Sequence, residues 1–213
     1  MPTTLDPQER QRRRQLYANL MQEIRWRIQS INLIEGQLGK SLDKLQHFIA
    51  SEYHILQLRM IFEAIALGCM VVHGDIPKVK SGKLPDFYQA DALIKALSKI
   101  HPDFFPVAAV MHSQPGKPQN KVFQPRPGKF LTKEEVIRLY RKYGEYLHRG
   151  TPSGLVSVRH ETIKPLGKEI GDTARAIVAL LNLHTIQLHN SNITFACTLY
   201  PEVDVQFYSP DWA

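Results

Sequence analysis

Residues 55–72, ILQLRMIFEAIALGCMVV, are apolar almost all the way round a helical wheel, and this constrains the fold more than anything else in the 213-residue chain. A helix with no polar face has to be surrounded by other elements. Gln57, Arg59 and Glu63 make the segment too polar for an ordinary membrane span, and no run of about 18 consecutive apolar residues occurs anywhere. It therefore reads as the central helix of a packed core. Arg59 and Glu63 stand four residues apart on one face, so they read as an internal ion pair, with a supporting role at a site as the alternative.

Elements on both sides can supply that surround. Asp6-Pro7-Gln8-Glu9 has the form of a helix start, with a capping aspartate, a proline at the first helical position and a glutamate three residues on. Leu16, Leu20, Ile24, Ile28 and Ile31 follow at helical spacing, and Arg13 falls elsewhere on the wheel. Gly36 and Gly39 mark a break, after which Leu38, Leu42, Leu45, Phe48 and Ile49 resume the pattern. Residues 88–100 form a short amphipathic helix stopped by His101-Pro102. From 102 to 130 prolines, glycines and lysines predominate without periodicity, which predicts a long loop or basic flap.

Thr132-Lys133-Glu134-Glu135 is a capping box that opens a further helix, closed by Gly150-Thr151-Pro152. Another helix spans about 163–183. Beyond it the pattern turns to alternation, with His184, Ile186 and Leu188, then Ile193, Phe195, Cys197 and Leu199, then Val203, Val205 and Phe207. The expected fold is mainly α, α+β overall: a helical bundle to about residue 183 and a small antiparallel β-meander at 184–209, in a single domain covering 1–213.

Composition narrows the function classes. A 43% hydrophobic and 22% charged chain of this length builds a core without external staples. Cys69 and Cys197 lie far apart in apolar surroundings, outside zinc or redox spacings, and read as buried free thiols. The start of the chain lacks the apolar segment of a signal peptide, so a bacterial cytosol is the expected setting and no membrane contact is expected. The net charge of +7 favours polyanionic partners. Its carriers cluster at Arg10, Arg12, Arg13 and Arg14, and again at Lys117, Lys121, Arg126, Lys129 and Lys133, with no acidic residue between Asp103 and Glu134. Nucleic-acid contact and plain solubilising surface are the two readings of these clusters.

The chemistry-bearing stretch is RLYRKYGEYLHRGTP, residues 138–152. Val136, Tyr140, Tyr143 and Leu147 share one stripe of its helix. Arg141 and His148 lie about 120° to 140° round from that stripe, with Gly144 between them to admit a backbone or a phosphate. Seven residues span about 10.5 Å of helix, so both side chains lean inward to meet one phosphate. A histidine near neutral pKa takes a proton from a ribose 2′-hydroxyl, and a guanidinium stabilises the phosphate as its charge builds. This chemistry needs no metal and no cofactor.

An arginine, six residues and a histidine late in a helical domain resembles the HEPN superfamily, which includes RNA-cleaving toxins and phage-defence ribonucleases. The resemblance implies RNA as substrate, a homodimer with the two motifs facing each other, and an antitoxin-like protein partner. It gives Arg141 the phosphate-binding role and His148 the catalytic one, with Arg59, Glu63, Tyr143 and Arg149 as supporting candidates. LRMIFEAIAL, HPDFFP and LTKEEVIRLYRKYGEYLHRGTP are also similar to a group of uncharacterised bacterial proteins, which implies no activity.

The competing reading of the motif is a helix C-terminus, where His148 and Arg149 face the negative end of the dipole. On that reading the chain is a non-catalytic module binding nucleic acid or an acidic protein. His184 and His189 fall on opposite faces of a strand, and His160-Glu161 and His112 have no partner at metal spacing, so no metal site is expected.

Overall fold

The computed structural model of the chain describes residues 6–37, 43–74, 89–114, 117–147, 166–189 and 191–208. Helix α1 (Pro7–Gln37) starts at Asp6, whose carboxylate accepts the Glu9 N–H at 3.3 Å. Glu9 does not complete a capping box; it turns to Arg13 at 3.0 Å and Arg12 at 3.4 Å. The buried face of α1 runs Arg13, Tyr17, Met21, Ile24, Ile28 and Ile31, and Leu16 is exposed. The expected stripe is thus correct from Ile24 onward and displaced by one residue before it. Arg13 sits on the core side because its guanidinium is tied to Glu9 and to the Val72 carbonyl.

Helix α2 (Lys44–Val72) joins two patterns that the sequence reading kept apart. Its start is a capping box in which Gln46 N–H donates to Asp43 at 2.8 Å and Asp43 N–H donates to Gln46 at 3.1 Å. Such a cap contributes about 1 kcal/mol. From Ile55 onward α2 is mostly buried as expected, with Leu56 exposed, whereas Leu45 and Ile49 in its first half are both exposed. Among the described residues it is the one helix long and apolar enough to cross a membrane, and 61% of its most apolar window is buried against the rest of the protein.

Helix α3 (Ala90–Ser98) buries Ala90, Leu93, Ile94 and Leu97. Helix α4 (Lys133–Leu147) opens on the expected box, with Glu135 N–H donating to Thr132 Oγ1 at 3.2 Å and Thr132 N–H to Glu135 at 2.8 Å. Helix α5 spans Leu166–Leu181. Strands β3 (Leu183–Gln187), β4 (Thr194–Thr198) and β5 (Asp204–Tyr208) form the expected meander.

The long loop expected at 102–130 is corrected. It contains strands β1 (Val107–Gln114) and β2 (Lys117–Pro125), an antiparallel hairpin that enlarges the meander to a five-stranded sheet ordered β2-β1-β3-β4-β5. Prolines are compatible with β2 because it is an edge strand, with one side free of ladder partners. The hairpin joins through Val107 opposite Thr185 and Ala108 opposite His184. The sheet coils enough that Phe123 on one edge strand meets Tyr208 on the other, at 4.6 Å between ring centroids.

One face of the sheet carries His184, Ile186, Phe195, Cys197 and Val205 into a core shared with α1, α2, α3, α4 and α5. The first helix is pinned to these last strands. Tyr17 O–H donates to His184 Nε2 at 2.6 Å, and Nδ1–H of the same ring donates to the Leu181 carbonyl at 2.9 Å. Arg25 donates to the Pro201 carbonyl at 2.9 Å and lies over the Tyr200 ring, and Arg14 pairs with Asp204 at 3.6 Å.

Candidate functional site

Helix α4 presents three faces to three neighbours, and the candidate site lies where two of them meet. Toward α5, Tyr143 is fully buried, hydrogen-bonded to Thr173 at 2.8 Å and stacked on Phe62 at 6.3 Å. Burial pushes its phenol up to about 12. Lys142 on the same side holds Glu169 at 2.6 Å. These contacts make Tyr143 a fixture of the core, so its supporting role is that of an anchor for α4.

Toward α2, Tyr140 lies between the two charged side chains that the sequence singled out. Its hydroxyl donates to Glu63 at 3.0 Å and accepts from Arg59 at 3.0 Å, and the Arg59 guanidinium sits 4.3 Å over the Tyr140 ring. Arg59 and Glu63 are only 3.9 Å apart, so the expected ion pair forms with Tyr140 as its bridge. Burial and the Glu63 carboxylate raise the Tyr140 pKa, with Arg59 opposing them. Gly144 has the role of admitting Arg59: a Cβ there would collide with Arg59 Nη1. The close approach anticipated at Gly144 is therefore made by a side chain of this protein.

Toward α3, Arg141 donates from Nε and Nη2 to Asp91 Oδ2 at 2.8 and 2.7 Å, and Lys95 lies 3.9 Å from the same oxygen. Asp91 is nearly buried, while about half of the Arg141 side chain is open to solvent. Arg59, Gln89, Asp91, Tyr140, Arg141, Gly144 and Glu145 line a groove of about 470 Å3. Its charges balance: Arg59 and Arg141 face Asp91 and Glu145. The structure thus brings Arg59 and Arg141 to one groove, with Glu63 bonded to its Tyr140 wall. His148 and Arg149 lie outside the described residues, immediately beyond the last residue of α4. Sequence reasoning missed Asp91, Tyr140 and Gln89, because nothing in the local pattern of α3 shows which helix its first turn faces.

The proposed nucleic-acid contacts divide sharply. Arg12 and Arg13 share Glu9, Arg14 has Asp204, and Arg13 is buried, so two carboxylates offset part of the charge of this cluster within the fold. On the hairpin and the turn after it, Lys121 donates to Ser113 at 3.2 Å, Arg126 bonds to the Ala179 carbonyl and lies over Phe130, and Lys129 is exposed. None of these three has a carboxylate partner among the described residues. The Lys117 side chain lies outside the described residues.

Three histidines meet edge to face in series, His73 with His101 at 5.0 Å and His101 with His189 at 5.3 Å between ring centroids. His73 and His101 spend Nε2 on the carbonyls of Phe104 and Gln187, and no group of side chains able to hold a metal occurs among the described residues. A second cavity of about 570 Å3 opens between α1 and α5, floored by Ile28, Ile31, Ile170 and Ala174. Comparison with protein-family models, curated proteins and solved structures finds no match.

Proposed function

We propose that this protein acts on RNA as a metal-independent endoribonuclease of HEPN type, with Arg141 binding the scissile phosphate and His148 as general base. The observation that supports this reading is the half-exposed Arg141 guanidinium at the rim of a groove that also holds Arg59, on the helix that leads directly into His148. In the proposed reaction His148 takes the 2′-hydroxyl proton and the 2′-oxygen attacks phosphorus. The bond to the 5′-oxygen breaks, leaving a 2′,3′-cyclic phosphate and a 5′-hydroxyl that takes its proton from the imidazolium or from water. Arg141 engages the phosphate by exchanging the Asp91 carboxylate for a phosphate oxygen, both being ligands for the same guanidinium fork. Two copies facing each other across the motif, a cytosolic setting and an antitoxin-like partner belong to this proposal.

A second reading, a non-catalytic module for nucleic acid or an acidic protein, is favoured by the double hold of Asp91 on Arg141 and by the balanced charge of the groove. The deciding experiment is incubation of labelled RNA in EDTA with the wild-type protein, His148→Ala and Arg141→Ala, with folding checked by circular dichroism. Cleavage by the wild type alone, leaving cyclic-phosphate ends, is the expected result. Equal cleavage by all three, or none by a folded wild type, overturns the catalytic reading.

A further inference from the structure

Many of the described helical cations are held by carboxylates, and those of the hairpin are not. On the helices, Arg12, Arg13, Arg14, Arg27, Arg59, Arg141, Lys142 and Arg175 each lie within 4 Å of a carboxylate. On the hairpin and the turn that follows it, Lys121, Arg126 and Lys129 lie in the stretch from 104 to 133 that contains no acidic residue. These three cations have no carboxylate within 4 Å among the described residues, so the β2 edge and the turn after it carry positive charge that no neighbouring acid offsets.

That edge also carries aromatic surface. Lys121 and Phe123 are two residues apart on β2 and so share a face. Phe123 is paired across the ladder with Met111, which is 48% exposed, and its ring meets Tyr208 of β5. Both rings are half-buried, which fixes them in place and leaves part of each open. The nearest acidic residue on β5, Asp204, is matched by Arg14. A fixed pair of rings with the unneutralised Lys121 on the same face, and Lys129 exposed in the turn that follows, suits an unpaired nucleic-acid strand, since its bases present π-faces and its backbone a phosphate at every step. A duplex hides those faces, and a lipid headgroup layer has no use for the rings' orientation.

We infer that the β1–β2 hairpin with Tyr208 is a docking surface for single-stranded RNA, with Lys121 and Lys129 on phosphates and Phe123 and Tyr208 under bases. The surface rests on the nucleic-acid reading of the chain and is independent of catalysis at Arg141. It also assigns the hairpin a role that the groove, with its balanced charge, does not fill.

The test is fluorescence anisotropy of a labelled 20-nucleotide unpaired RNA with the full chain carrying His148→Ala, in EDTA, over a salt series. Binding should weaken linearly on a log–log salt plot. The double reversal Lys121→Glu and Lys129→Glu should weaken it about tenfold or more and lower the slope by about 1.4, two phosphate contacts at about 0.7 each. Tyr208→Leu should weaken binding without changing the slope, and Arg12→Ala should change neither. Undiminished binding by the folded double reversal, or binding to anionic phospholipid vesicles and not to RNA, overturns the inference. A wild-type protein that binds through the hairpin yet leaves RNA intact retains this surface and loses the ribonuclease reading; cleavage with hairpin-independent binding does the reverse.

Discussion

Acidification should loosen this protein through a single buried imidazole. His184 has no exposure, and both its ring nitrogens are committed, Nδ1–H to the Leu181 carbonyl and Nε2 as acceptor from Tyr17. Adding a proton places a charge in the core and a second donor against the Tyr17 hydroxyl. Burial accordingly pulls the pKa from 6.5 to about 4. Between those values the unfolded chain takes up a proton that the folded chain refuses. The contribution of His184 is fully present above the unfolded value and is lost as pH falls toward the folded one.

The linkage limit for a displacement of about 2.5 pH units is about 3.4 kcal/mol, of which about 1.4 is gone by about pH 5.5. Urea unfolding monitored by circular dichroism from about pH 7.5 to about pH 4.5 reads the loss. Burial moves His54 the same way, with Glu35 partly restoring it, so the measured loss should be at least the His184 share. A proton–carbon correlation NMR titration assigns it: the His184 ring should stay neutral at about pH 5.5. Stability that is flat across this range, or a His184 signal titrating near its ordinary value, would refute the buried tautomer and the Tyr17 bond.

Three further outcomes follow from other contacts. Gly144→Ala would gain about 1 kcal/mol from helix propensity alone, but its Cβ must displace Arg59 Nη1 and loosen the Arg59–Tyr140 hydrogen bond, so the variant should sit within about 1 kcal/mol of wild type in urea unfolding; the full propensity gain would mean that Arg59 does not cross this helix. Tyr143→Phe removes the hydroxyl bonded to Thr173 and should cost about 1 kcal/mol in the same assay, a neutral result counting against that bond. A double-mutant cycle of Asp91→Ala and Arg141→Ala should return a coupling below about 1 kcal/mol, because Arg141 is half exposed; a coupling of several kcal/mol would show that the pair holds α3 on α4 and is not free to exchange for a ligand.

Much of the fold was legible because its signals were local. The Thr132–Glu135 box and the Val136, Tyr140 and Tyr143 stripe define α4 from 15 residues of sequence, and strict alternation gives β3, β4 and β5. The hairpin was not legible: β2 contains two prolines and only two apolar side chains other than those prolines, and it is a strand because β1 supplies its ladder. The displaced face of α1 had a distant cause as well, since Tyr17 is drawn inward by a histidine 167 residues away. At the candidate site the sequence placed Arg59 beside Glu63 and put Gly144 at a close approach. It could not reveal that Asp91, 50 residues before Arg141, occupies that guanidinium.

The fastening of α1 to β3 and β5 has a consequence for how the chain is made. The residues that complete the pocket for Tyr17, Arg14 and Arg25 are synthesised at least 167 residues after the side chains they hold. At about 5–20 residues per second, the apolar face of α1 waits on the order of ten to thirty seconds for its partners. During that interval α2, α3, α4 and α5 can pack on one another, while the part of the α1 face that meets the sheet stays uncovered. Nascent chains stalled before residue 183 should therefore be clients of holding chaperones, and synthesis of β3, β4 and β5 is the step that releases them.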